Sequence, residues 1–131
     1  MIELLVVIAI IGILAAIVLV ALGGARTRAT ETRVIASLNQ IRTTAELIRS
    51  TDDSYAAVAN NGDINTLIAD MNTMKATNVG RYADANGYCV TARLSSAGRY
   101  GCVNSGLVAK FDCVNAFANC NSATNISCAC P

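Results

Sequence analysis

A chain of 131 residues with a net charge of +1 has room for one membrane helix and one small domain, and exerts no global pull on nucleic acid. It contains no histidine, which removes Ser-His-Asp and Cys-His catalysis and imidazole metal ligands together. Hydrophobic residues make up 53% and charged residues only 15%, partly because the first fifth of the chain is almost pure hydrocarbon.

That first stretch, residues 1–22, carries a single charge, Glu3. As a helix it would be about 33 Å long, enough to cross a bilayer. A carboxylate in such a span costs up to roughly 2.5–3.5 kcal/mol at the helix centre and less near its end. A positive group on another protein, such as the N-terminal amine of a neighbouring subunit, removes that cost, so Glu3 points to assembly. A secretory signal would have a basic leading region and an apolar core of about 7–15 residues. Here the apolar run is longer and no basic residue precedes Arg26. A plain single-span anchor gains nothing from Glu3.

The ordered string Ile2-Glu3-Leu4-Leu5-Val6-Val7-Ile8-Ala9-Ile10-Ile11-Gly12-Ile13-Leu14-Ala15-Ala16-Ile17 closely resembles the N-terminal segment of the type IV pilin and type II secretion pseudopilin superfamily, the N-terminal methylation-motif proteins. The resemblance covers the first quarter of the chain. It implies a basic leader ending in Gly, cut by a dedicated peptidase before a Phe-Thr-Leu/Met-Ile-Glu-Leu start. Met1 aligns with the Leu/Met of that pattern, so the leader, the Gly and two further residues are expected upstream of it. The resemblance also implies that Glu3 neutralises the N-terminal amine of an adjacent subunit and sets axial register. Many family members carry a Pro near the end of the apolar run, where the helix melts on assembly; this chain has none before Pro131. Its helix-weakening residues here are Gly12, Gly23 and Gly24, each about 1 kcal/mol worse than Ala in a helix interior.

Beyond Gly24 the pattern becomes amphipathic. Val34, Leu38, Ile41, Ala45 and Ile48 recur at steps of four and three, one face of a helix. With no Pro intervening, residues 1 to about 50 read as one long helix, softened at most at Gly23-Gly24 and ended by Ser50-Thr51-Asp52-Asp53. The division is a transmembrane and polymerisation segment at 1–24, then an amphipathic helix half plus globular head at 25–131. Arg26, Arg28 and Arg33 are candidates for contacts with acidic residues of adjacent subunits, against a solvated helix face. Basic residues beside a span ordinarily mark the cytoplasmic side; the cysteines argue the opposite and carry more weight.

Residues 51–87 read as a connecting region. Asn60-Asn61-Gly62-Asp63 is a turn, with Asp63 as the cap of a short helix whose Ile64, Leu67, Ile68, Met71 and Met74 share a face. The turn lacks the alternating acids and final Glu of a calcium loop. From 88 to 113 the chain alternates as three short antiparallel strands, with Tyr88, Val90, Ala92 and Leu94 on one side and Cys89, Thr91 and Arg93 on the other. Turns are expected at Ser95-Ser96-Ala97-Gly98 and Asn104-Ser105-Gly106. The tail from Val114 to Pro131 has no period and reads as a disulfide-pinned loop; its Asn125-Ile126-Ser127 matches a glycosylation sequon.

All six cysteines, Cys89, Cys102, Cys113, Cys120, Cys128 and Cys130, fall in the last third. An even count in a small domain behind a membrane segment reads as a disulfide framework in an oxidising compartment. No Cys-x-x-Cys pair is present, which disfavours zinc. Fifteen connectivities are open in principle; Cys89 with Cys102, flanking a hairpin turn, is the first expectation, and Cys128 and Cys130 are too close to bridge each other.

The expected fold is α+β, the pilin fold: a long N-terminal helix packed on a small antiparallel sheet. The expected function is a structural subunit polymerising into an extracellular type IV pilus, with copies of itself as main partner and the membrane as its store. The resemblance adds an assembly platform, a motor ATPase and the prepilin peptidase. Alternatives are a pseudopilin in a short periplasmic filament and a minor or DNA-uptake pilin, whose basic face would be built from Arg81, Arg93, Arg99 and Lys110. No catalytic residue, cofactor or metal ligand set is expected.

Overall fold

The computed structural model describes residues 1–74, 79–94, 98–114, 120 and 128, omitting the side chains of 112 and 114. One helix, α1 (Ile2–Asp52), runs unbroken for 51 residues, about 76 Å. Gly12, Gly23 and Gly24 lie within it without interrupting it. It stops where Asp53 turns into the left-handed region (φ 51°), its N–H donating to the Arg49 carbonyl at 2.9 Å. The stop thus falls within the expected Ser50–Asp53 stretch.

A 3-10 turn (Ala56–Ala59) leads into α2 (Gly62–Thr73). The cap of α2 is Asn61 rather than the expected Asp63. The Asn61 side-chain oxygen accepts from the N–H groups of Asp63 and Ile64 at 3.0 and 3.1 Å. The turn residue one place before Gly62 has the extended backbone a cap requires, and Asp63 already lies inside the first turn, where its charge still suits the helix dipole. Ile64 and Met71 are buried and Leu67, Ile68 and Met74 pack at the core edge, the face the spacing implied.

Among the described residues four strands follow, one more than expected: β1 (Gly80–Ala83), β2 (Tyr88–Arg93), β3 (Arg99–Asn104) and β4 (Ala109–Val114), forming an antiparallel meander in the order β1-β2-β3-β4. The additional strand is four residues long and half-buried throughout, so its sequence carries no in-out alternation. Pairing supplies its regularity: Gly80 lies opposite Thr91 and Ala83 opposite Tyr88. Gly80 is required there, since a Cβ would stand 2.7 Å from the Thr91 hydroxyl oxygen. Between β1 and β2, the Asp84 carboxylate accepts from the N–H groups of Asn86 and Gly87 at 2.8 Å, and these bonds hold its pKa below the ordinary value.

The two sheet faces are covered differently. Tyr88, Val90, Ala92, Leu94 and Val103 pack onto Val34, Leu38, Ile41 and Ala45 of α1, with Val58, Ile64 and Met71 closing the core. The helix comes so close at Gly101 that a Cβ would meet Leu38 Cδ1 at 2.7 Å and the Phe111 ring at 3.1 Å. On the far face, Cys89, Cys102, Cys120 and Cys128 form a second buried cluster with Val108 beside it.

The expected pairing of Cys89 with Cys102 does not occur: Cys89 bonds Cys120 and Cys102 bonds Cys128, each with Cα atoms 5.6 Å apart. The register gives the reason. Cys89 lies opposite Asn104 and Cys102 opposite Thr91, so the two are diagonal neighbours. Such neighbours lie about 7–8 Å apart, beyond the usual reach of roughly 4.4–6.8 Å for a bridge. Cys113 is disulfide-bonded as well, while Cys130, the sequon and most of the tail lie outside the described residues, as does Ser95-Ser96-Ala97. The result is an α+β, pilin-like architecture with C-terminal cysteines stapled to the sheet.

Candidate assembly surface

The head covers only the second half of α1. Residues 1–29 are all exposed, and the first buried side chain is Val34. Every large apolar side chain from Met1 to Leu22 is at least 44% exposed. A patch of that kind far exceeds the few hundred Å² that monomeric soluble proteins leave uncovered. By length and composition α1 is able to cross a membrane. Glu3 sits in its first turn, exposed, at the end where the helix dipole favours an anion. Gly12, Gly23 and Gly24 have open space where a Cβ would project, so no contact with the described residues accounts for them.

The three arginines separate into two groups. Arg33 Nη2 donates to both carboxylate oxygens of Asp70 in α2, at 2.9 and 3.1 Å, so its charge is answered within the chain. Sequence spacing did not reveal this, because the partner lies 37 residues away on another helix. Arg26 and Arg28 have no side-chain partner among the described residues. Their backbone carbonyls accept from the hydroxyls of Thr30 and Thr32, and Thr27 donates likewise to the carbonyl of Gly23.

The four cations weighed as a basic face do not share one. Arg81 stands opposite Val90 on the helix side of the sheet and donates to Asn65 Oδ1 at 2.6 Å. Arg99 also faces the helix and lies 4.0 Å from the Glu31 carboxylate. Arg93, opposite Tyr100, and Lys110, opposite Cys102, belong to the other side.

Sequence reasoning also missed the polar group that ties the head to α1. Tyr55 donates to the Glu46 carboxylate at 3.0–3.1 Å, its ring meets Tyr88 at a tilt of 51° with centroids 5.1 Å apart, and the Arg49 guanidinium lies over it at 5.1 Å. Burial, then the neighbouring Glu46, raises the Tyr55 pKa; burial raises that of the fully enclosed Tyr88 further. The i,i+9 spacing of Glu46 and Tyr55 across a helix end matches no helical or strand period.

Among the described residues no three His, Cys, Asp or Glu side chains gather as a metal site. Comparison with protein-family models, curated proteins and solved structures returns no match, so the surface is read from its own chemistry.

Proposed function

We propose that this chain is a pilin-type structural subunit that polymerises through the first half of α1 into an extracellular helical filament. The observation that carries the reading is the bare half of α1: a continuous helix that projects its apolar residues 1–22 beyond the head, with one carboxylate at the tip. Before assembly, lipid covers this segment. In the filament, equivalent segments cover one another, and each CH₂ kept from water contributes about 0.8 kcal/mol. A bundle of such helices is therefore stable outside the bilayer. Glu3 supplies register, because a carboxylate inside an apolar bundle is tolerated only where a positive group answers it. The disulfides support an oxidising location for the head, opposite to what Arg26 and Arg28 suggest by the charge rule for membrane flanks. Polymerisation requires partners the chain cannot replace, an assembly platform and a motor ATPase, together with a peptidase that frees the N-terminus.

The test is Glu3→Ala in cells, scored by the amount of the chain in filaments sheared from the surface. The expected result is loss of incorporation with the membrane-held pool unchanged. Undiminished incorporation of the alanine form would overturn the reading.

A further inference from the structure

Arg26 and Arg28 are the first charges after the apolar segment, and α1 carries them there without a break. They lie only four and six residues past Leu22, about 6 and 9 Å along the axis, within and just above the roughly 5–7.5 Å headgroup layer over a hydrocarbon core. At about 100° per residue, two positions apart puts them on different sides of the rod at nearly one height. Helical side chains lean toward the N-terminus, so both guanidiniums lean back over the preceding turn. That turn holds Gly23 and Gly24, which leave open space, and the small Ala25, and Arg28 borders a shallow hollow formed with Val20, Ala21, Gly24 and Ala25. The stems can therefore lie along the helix while the charged ends reach the level of the last apolar residues, as snorkelling requires. Arg33, further along α1, finds an acid in the head, Asp70. Arg26 and Arg28 stand below the head, on a stretch of α1 that it leaves uncovered.

We propose that Arg26 and Arg28 form a two-sided collar that binds the phosphates of anionic lipid headgroups and fixes the depth of the subunit in the bilayer before assembly. This rests on the membrane-stored state of the proposed function. Arginine suits the role because its fork donates to two phosphate oxygens at once, and lipid phosphate is the anion that this height offers on every side of the rod. Binding sites on the two sides hold the rod without favouring a tilt.

The chain has no Trp, so Leu22→Trp places a unique fluorescent reporter one turn below Arg26. The full chain is reconstituted in vesicles of phosphatidylcholine and phosphatidylglycerol, with one or the other lipid brominated, and quenching gives the relative occupancy of the two lipids beside the reporter. The expected preference for phosphatidylglycerol is about fivefold for each cation, weakened by salt. Arg26→Gln with Arg28→Gln should bring it to parity, and the double Lys form should retain most of it. Parity in the parent, or a preference that survives in the double Gln form, overturns the collar. So does a preference unaffected by Gln while self-association of the chain in the same vesicles falls, which assigns both cations to a second copy. Absence of quenching by either brominated lipid would show that residues 1–22 do not enter the bilayer, and would overturn the membrane-stored state instead.

Discussion

Gly101 shows how much a single missing side chain decides. Its Cα faces α1 across a gap already filled by Leu38 and Phe111, so Gly101→Ala must push a buried side chain off its rotamer or move the sheet from the helix. A loss of about 1–3 kcal/mol is expected, read by chemical denaturation. By contrast, Asp70→Asn should cost no more than about 1 kcal/mol. The pair it breaks with Arg33 is 37% and 63% exposed, and water screens it. Tyr55 and Tyr88 impose a pH dependence whose sign follows from their shifts. Both hydroxyls hold their protons in the folded head at pH values where the unfolded chain has released them. Their contribution is therefore complete below about pH 10 and lost as pH rises beyond it. Stability measured from pH 8 to 12 should fall on the alkaline side, and more gently in Tyr55→Phe, which also removes the bond to Glu46.

The elements of the head were legible to different degrees, for physical reasons. The stripe Val34-Leu38-Ile41-Ala45 and the alternation from Tyr88 to Leu94 could be read directly, since each element buries one face and its period survives in the sequence. The strand β1 could not, because an edge strand of four half-buried residues owes its regularity to the register with β2. The cap of α2 was misplaced by two residues for a similar reason: Asn61 and Asp63 rank alike as caps, and the extended backbone at Asn61 distinguishes them. The cysteine pairing also depended on register. The strands β2 and β3 are adjacent while their cysteines lie on a diagonal, and the bridges run to the chain that follows, closing loops of 31 and 26 residues. Loops of this size contribute about 3–4 kcal/mol each through the unfolded state. Replacing Cys89 and Cys120 together by Ala should lower the stability of the head by about 2–4 kcal/mol, measured by denaturant titration under non-reducing conditions.

At the scale of the whole molecule, the head and the bare helix share no buried core, since residues 1–29 are all exposed. The core begins at Val34, so a chain starting at residue 29 should fold cooperatively, remain monomeric in water and keep its disulfides, as sedimentation and thermal unfolding would show. Retention of self-association in that truncated form would count against residues 1–22 as the assembly surface. By itself the sequence determined that an uninterrupted apolar helix with a lone Glu3 leads into an amphipathic half and a cysteine-rich head, because hydrophobic period and composition are local properties of the chain. Only the tertiary structure decided which charges find partners within the chain, which cysteines pair and that Arg81 and Arg99 fall on the opposite side of the sheet from Arg93 and Lys110. Each of those outcomes depends on the register and packing of residues far apart in sequence, and no local pattern encodes them.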